Sequence, residues 1–224
     1  MSPKVGVAPV RRDAIVGATI RCLARDGYAR LTMKRVAADA GVAPGILHYY
    51  FRDKRAILAA TADRVTKDLD RRVAAEARGA RDAWARLRGL IRACLAAATR
   101  DREAWTVFIA FWGEALHDRE LALLNARAYG RARRLIAAGI ARGVAEGTFR
   151  RLDPAEAGAV ILALLDGLSL QLRFEDGNGD ARGDRSDRER RRRGRRPLAR
   201  AARLAEEALV RYLSPNRKEA RRVR

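Results

Sequence analysis

Residues 32–58 read TMKRVAADAGVAPGILHYYFRDKRAIL, and the fold turns on them. Thr32 is an N-cap for a short helix to Ala40, because a threonine hydroxyl can accept a hydrogen bond from the free N–H groups of a first turn. Gly41 supplies the residue that takes positive φ and stops that helix. Pro44, whose fixed φ suits a first turn, opens a second short helix over 44–50. Two helices joined this tightly need a small residue where they cross, and Ala37 stands four residues before the turn. Val36, Ala40, Val42, Leu47 and Tyr50 then take the inward positions. That set of offsets is the pattern of a DNA-binding helix-turn-helix; a packing hairpin with a solvated charged face is the plainer alternative.

On either side the periodicity stays helical, and no useful length alternates at period two. Upstream, Val16, Ile20, Leu23 and Gly27 space out an amphipathic helix over 10–26 that Gly27 ends. Downstream, helices are predicted from near Asp53 to about Arg78, then over 80–100, 102–117, 119–147 and 154–173, the last opened by Asp153 as cap and Pro154 at its first position. Helicity resumes over 197–213. The fold class is therefore all-α: an N-terminal three-helix helix-turn-helix domain, residues 1–55, followed by a helical bundle, residues 56–213. Residues 175–196 contain no large apolar side chain to offset their ordering entropy, which predicts a mobile Arg-rich loop. Residues 214–224 are predicted to be a disordered basic tail.

The charge is distributed unevenly along the 224 residues: 48 Lys and Arg face 27 Asp and Glu, a net +21. Residues 1–55 carry +7, residues 182–196 carry +6 and residues 217–224 carry +4, leaving a nearly balanced body. A basic N-terminal module beside a neutral body suits double-stranded DNA as partner. The longest stretch free of charged residues, Ala40 to Phe51, has 12 residues, short of the roughly 18 that span a bilayer, so no membrane-crossing helix is expected. The opening MSPKVGVAPVRR has no secretory apolar segment, so the expected location is the cytoplasm. Cys22 and Cys94 alone make neither a disulfide framework nor a metal-ligand spacing.

At this level of detail the 32–58 string resembles the helix-turn-helix signature of the tetracycline-repressor family of bacterial regulators. The stretches APVRRDAIVGAT, PGILHYYFRDK, VFIAFWGEALH and LLDGLSL further resemble the choline-responsive repressors of betaine biosynthesis. The resemblance implies that the second short helix enters the major groove and that Lys54 opens the fourth helix and contacts phosphate. It also implies that Tyr49 touches the DNA backbone and that Thr32 caps beside a phosphate. Ala43 departs from the pattern, which has Ser or Thr there, and so lacks one backbone contact. The body would be a ligand-binding and dimerisation domain, the partners a second copy of the chain and a small effector such as choline. The apolar content of 154–173 and 197–213 exceeds what one bundle face can bury, which places the homodimer seam there.

Residue chemistry distributes the DNA contacts. Lys4, Arg11 and Arg12 can neutralise phosphates or enter the minor groove, while Lys34, Arg35, Arg52, Lys54 and Arg55 flank the short helices. Base reading falls to Ala43, Pro44, Gly45, Ile46 and His48, which favour thymine-methyl contacts and shape over bidentate Arg–guanine pairs. In the body, Trp105, Phe108 and Trp112 share one helix face. Such a stripe serves either as core or, together with Trp84, Glu114 and Asp166, as a cage for a quaternary ammonium. Glu114 and His117 form a single Glu-x-x-His pair, where di-iron bundles use two. No catalytic triad, phosphate loop or Cys cluster is present, so no enzyme, cofactor or metal is expected. The competing class is a small helical-bundle enzyme or metal protein whose hairpin is only structural.

Overall fold

The computed structural model describes residues 7–177 and 187–215. Among the described residues there are nine helices: α1 (Val7–Asp26), α2 (Met33–Asp39), α3 (Pro44–Tyr50), α4 (Lys54–Arg78), α5 (Ala83–Arg100), α6 (Arg102–Ala115), α7 (Arg119–Ala145), α8 (Pro154–Gly177) and α9 (Asp187–Leu213). They fall into two compact units. The first holds residues 7–68 and 102–127; the second holds 69–101, 128–177 and 187–215.

In the first unit α1 packs on α2 and on α6, and α2 packs on α3. Its core joins Ile15, Val16 and Leu23 of α1 to Val36, Leu47, Ile57, Leu58, Val107 and Phe111. The α1 positions are the apolar stripe of its period, and Gly27 at φ +74° ends the helix where a side chain would be strained. In the second unit α5, α8 and α9 pack against one another around Leu87, Ile91, Leu95, Ile140, Ile161, Leu165, Leu209 and Leu213. Arg150 fastens the end of α9 in this unit. Its backbone N–H donates to the Leu213 carbonyl at 2.8 Å and its Nε to the Tyr212 carbonyl at 2.6 Å, meeting acceptors that a helix C-terminus leaves open.

One expectation is corrected. The loop predicted over 175–196 is helical wherever it is described: 175–177 extend α8, and 187–196 form the first turns of α9. Arginine is a good helix former. Once Leu198 to Leu213 hold a helix in place, upstream turns are added without a new nucleation cost. Pro197 sits inside α9 and removes one hydrogen bond from the ladder without ending it. Residues 178–186 and the tail 216–224 lie outside the described residues, as does Lys4. A second expectation needs a physical qualification. Although Asp166 interrupts its apolar run, α8 is long and apolar enough to cross a bilayer, an 18-residue window within Pro154–Glu175 having a mean hydropathy of 1.5. In this fold that apolarity packs one face, Ala157, Ile161, Leu165 and Leu172, into the core of the second unit.

Candidate nucleic-acid interface

The helix-turn-helix is held by local devices. Thr32 adopts an extended backbone, φ −131°, and its hydroxyl accepts from the Arg35 N–H at 3.2 Å. Gly41 has φ +65°, which lets its N–H reach the Ala38 carbonyl at 3.2 Å and lets the Val42 N–H reach Ala37 at 3.0 Å. Ala37 and Val36 are buried where α2 meets the core, and Leu47 and Phe51 anchor the inner side of α3. Ala43 offers α3 no side-chain cap, and Pro44 opens it. The outer side of α3 is then Ala43, Pro44, Gly45, His48 and Tyr49, all exposed, with Ile46 half-buried. Tyr49 is 71% exposed, a large aromatic left to solvent although its neighbour Tyr50 packs on the core.

The cations divide into free and engaged groups. Arg11, Arg12 and Lys34 are exposed, with the Arg12 guanidinium 5.1 Å from the Phe51 ring centre. Lys54 is half-buried: its ammonium donates to the Tyr28 carbonyl at 2.6 Å and sits 3.7 Å from the Tyr28 ring centre. Burial lowers the Lys54 pKa, and the Glu114 charge works against that shift. The Glu114 carboxylate lies near the Tyr28 hydroxyl, whose pKa is pushed up to about 12, by burial first and then by that carboxylate. Arg35 pairs with Asp26 at 2.9 Å, while Arg21 and Arg25 grip Asp39 at 2.8 and 3.2 Å, so α1 is riveted to the far end of α2.

Next to α3, Arg52 pairs with Glu120 at 2.9 Å and Arg55 with Asp118 at 2.6 Å. Asp118 also caps α7, accepting from the N–H groups of Glu120 and Leu121 at 2.9 and 3.1 Å. The Leu121 N–H and then the Arg55 guanidinium hold its carboxyl below the usual range. Asp53 does the same for α4: its Ala56 N–H bond comes first in lowering its pKa. Tyr28, Asp118 and Glu120 carry no local sequence signal for a role beside α3, because their partners are distant in the chain.

The proposed effector residues sit in different surroundings. Trp105, Phe108 and Trp112 do come together in the first unit. Trp105 meets Phe108 and Trp112 edge-on, with ring centres 5.9 and 5.7 Å apart, and Phe108 stacks on Trp112 at 6.1 Å. Glu114, on the same helix, has its charge felt by Tyr28. Trp84 belongs to the second unit, where it meets Phe149 edge-on at 4.9 Å. Asp166, also in the second unit, accepts from the Tyr129 hydroxyl at 2.9 Å, and burial raises its pKa. Burial, and then the Asp166 and Asp70 charges, push the Cys94 thiol up to about 12. Among the described residues no three His, Cys, Asp or Glu side chains group as metal ligands.

Comparison with known proteins places these features. Residues 15–61 match the family described as bacterial regulatory proteins, tetR family, and residues 83–186 match the BetI-type transcriptional repressor C-terminal domain. The HTH-type transcriptional regulator BetI of Burkholderia lata is 31% identical over 185 residues, covering 80% of this chain and 91% of that protein. BetI of Paraburkholderia phytofirmans is 31% identical over 173 residues, covering 75% and 85%. A putative transcriptional regulator from Saccharomonospora viridis, solved in complex with choline, superposes with a TM-score of 0.73 at 25% identity, covering 92% of this chain and 98% of that one.

Proposed function

The chain belongs to the tetR family of bacterial regulatory proteins, with a BetI-type C-terminal domain, and from that premise we propose that it represses transcription as a homodimer on an inverted-repeat operator. It is a DNA-binding transcriptional regulator, and its relatives are regulators rather than enzymes. Acting on bacterial DNA, it works in the cytoplasm. The carrying observation is the polarity of α3: Leu47 and Phe51 buried, Tyr49 and the 43–48 edge presented to solvent. In this reading α3 lies in the major groove, Arg11, Arg12, Thr32, Lys34, Tyr49 and Lys54 hold phosphates, and Ala43, Pro44, Gly45, Ile46 and His48 meet base edges.

The dimer seam is assigned to α8 and α9. Val160 and Phe174 on α8 and Leu204 and Val210 on α9 are 43–66% exposed, an apolar surface that a twofold partner would cover. Twofold symmetry sets half-sites about 34–36 Å apart, or a multiple of that turn. Selection from random duplexes followed by footprinting tests this. The expected product is an inverted repeat, and Ile46→Ala shifts base preference within each half-site. A monomer in sedimentation, or retention of DNA without sequence preference, would refute it.

For the effector, the reading is a quaternary ammonium such as choline held against Trp105, Phe108 and Trp112, since a desolvated cation over such ring faces gains about 2 kcal/mol or more. A second site is favoured by one observation, the half-buried Asp166 carboxylate whose partner is the Tyr129 hydroxyl at 2.9 Å: a cation beside the two would relieve the desolvation that raises the Asp166 pKa. Calorimetry with choline and betaine aldehyde separates them. Loss of heat in Trp112→Ala assigns the first site and loss in Asp166→Asn the second. No heat with the unsubstituted protein removes the quaternary-ammonium assignment and leaves DNA binding untouched.

A further inference from the structure

Arg52 and Arg55 follow directly on α3 and flank Lys54, where a backbone contact to DNA would form. In the free protein both are already bound to carboxylates. Arg55 holds Asp118 at 2.6 Å and Arg52 holds Glu120 at 2.9 Å, across 63 and 68 residues of sequence. Asp53 adds a second, longer contact to each, at 3.2 Å to Arg52 and 3.8 Å to Arg55. The arginine side chains remain more than half exposed, 66% and 54%, whereas the Asp118 side chain is 15% exposed and fixed by the α7 cap it makes. Two carboxylates, Asp118 held by its cap and Glu120 more exposed, thus occupy guanidinium donors that phosphate oxygens could use beside α3.

We propose that the acidic start of α7, its cap Asp118 and first-turn Glu120, is an internal phosphate mimic that competes with the DNA backbone for Arg55 and Arg52. A guanidinium has donors enough for two anions. Sharing them would nevertheless bring a carboxylate and a phosphate within a few ångströms of each other, a like-charge contact that the complex avoids by exchanging one for the other. Each DNA contact made by these arginines then starts with an internal ion pair being broken. The acidic start of α7 rides on α6: the Leu116 N–H bonds to the Trp112 carbonyl and the His117 N–H to Glu114, so the α6 backbone continues almost to Asp118. A displacement of α6 relative to α4 is accordingly read out as a change in the number of cations available to DNA. Asp118 and Glu120 are positioning residues in this scheme and touch no base.

The inference rests on the DNA-binding reading above, and the test separates the two. Fluorescence anisotropy is measured with a labelled duplex that the unsubstituted full chain has selected from a random library. Asp118→Asn keeps the helix cap, because asparagine caps as well as aspartate, and Glu120→Gln makes no cap with its side chain. Exposed ion pairs of this kind correspond to roughly 1.5- to 5-fold each in an equilibrium constant. The double variant should therefore bind about 3- to 10-fold tighter at low salt, with the gain fading as salt screens the internal pairs. The same two substitutions in an Arg52→Gln, Arg55→Gln background should give no gain. Unchanged or weaker binding by the double variant, or by Glu120→Gln alone should Asp118→Asn not fold, would overturn the competition. A gain that survives in full without the arginines would assign the effect to general charge repulsion and overturn it as well. If the unsubstituted protein retains no duplex, the DNA-binding reading itself fails.

Discussion

Replacing Gly41 by alanine isolates what the turn of the helix-turn-helix demands. A Cβ built on Gly41 meets nothing within 4 Å, and the backbone there has φ +65°. No clash contributes, so the whole effect is conformational. An L-residue in the left-handed region costs roughly 1–2 kcal/mol, while the stiffer unfolded chain returns about 0.4–1 kcal/mol. The net expectation for Gly41→Ala is a loss of about 1 kcal/mol from the first unit. Gly41→Asn should lose less than half of that, because asparagine tolerates this region. Trp105 and Trp112 belong to the first unit and Trp84 to the second, so Trp84→Phe provides a background in which tryptophan fluorescence reports on the first unit alone. In urea titrations the midpoint should fall for alanine, less for asparagine, at constant slope. Equal midpoints for glycine and alanine, or asparagine below alanine, would refute the assignment of Gly41 as an obligatory left-handed turn.

Lys54→Ala should weaken binding to every duplex alike and lower the magnitude of the salt slope by about 1, as for one lost phosphate contact; anisotropy at several salt concentrations checks it, and an unaltered slope contradicts the contact. Gly143→Ala should destabilise the second unit by about 1–3 kcal/mol through overpacking, since its Cβ would collide with the buried Phe149 ring against Trp84; an unchanged thermal midpoint would disprove it. Asp166 has a folded pKa raised by burial, so its favourable contribution is present while the unfolded carboxyl is still protonated and is lost as pH climbs from the ordinary Asp range through the raised value. Asp166→Asn should flatten the midpoint-versus-pH curve in that window, with Asp70, also raised by burial, retaining part of the slope. An identical curve would count against it.

The devices that define the helix-turn-helix are local, and that is why they are legible. Thr32, Gly41 and Pro44 each act within three residues, and they end up where their chemistry places them. The stripe of Trp105, Phe108 and Trp112 is likewise a one-helix pattern, and the three rings do meet. What resists reading is pairing across the chain. Arg55 with Asp118 and Lys54 with Tyr28 leave no periodic trace, so the engagement of the basic residues beside α3 emerges only from the folded chain. The same holds for Glu114, which by composition suits a cation cage and whose charge acts on Tyr28 and Lys54, distant in the chain. Residues 187–196 mislead for another reason: lack of apolar side chains argues against independent folding, but a segment contiguous with a packed helix needs none of its own.

The two cysteines, Cys22 and Cys94, bear on how the molecule can be labelled. Cys22 is buried and Cys94 half-buried, and burial leads the rise in both thiol pKa values. Since only the thiolate attacks, raised pKa values make both thiols poor nucleophiles at neutral pH. Maleimide and iodoacetamide should therefore label the native chain slowly at neutral pH. A cysteine introduced at an exposed position such as His48 would then react first and carry a spectroscopic probe beside the DNA.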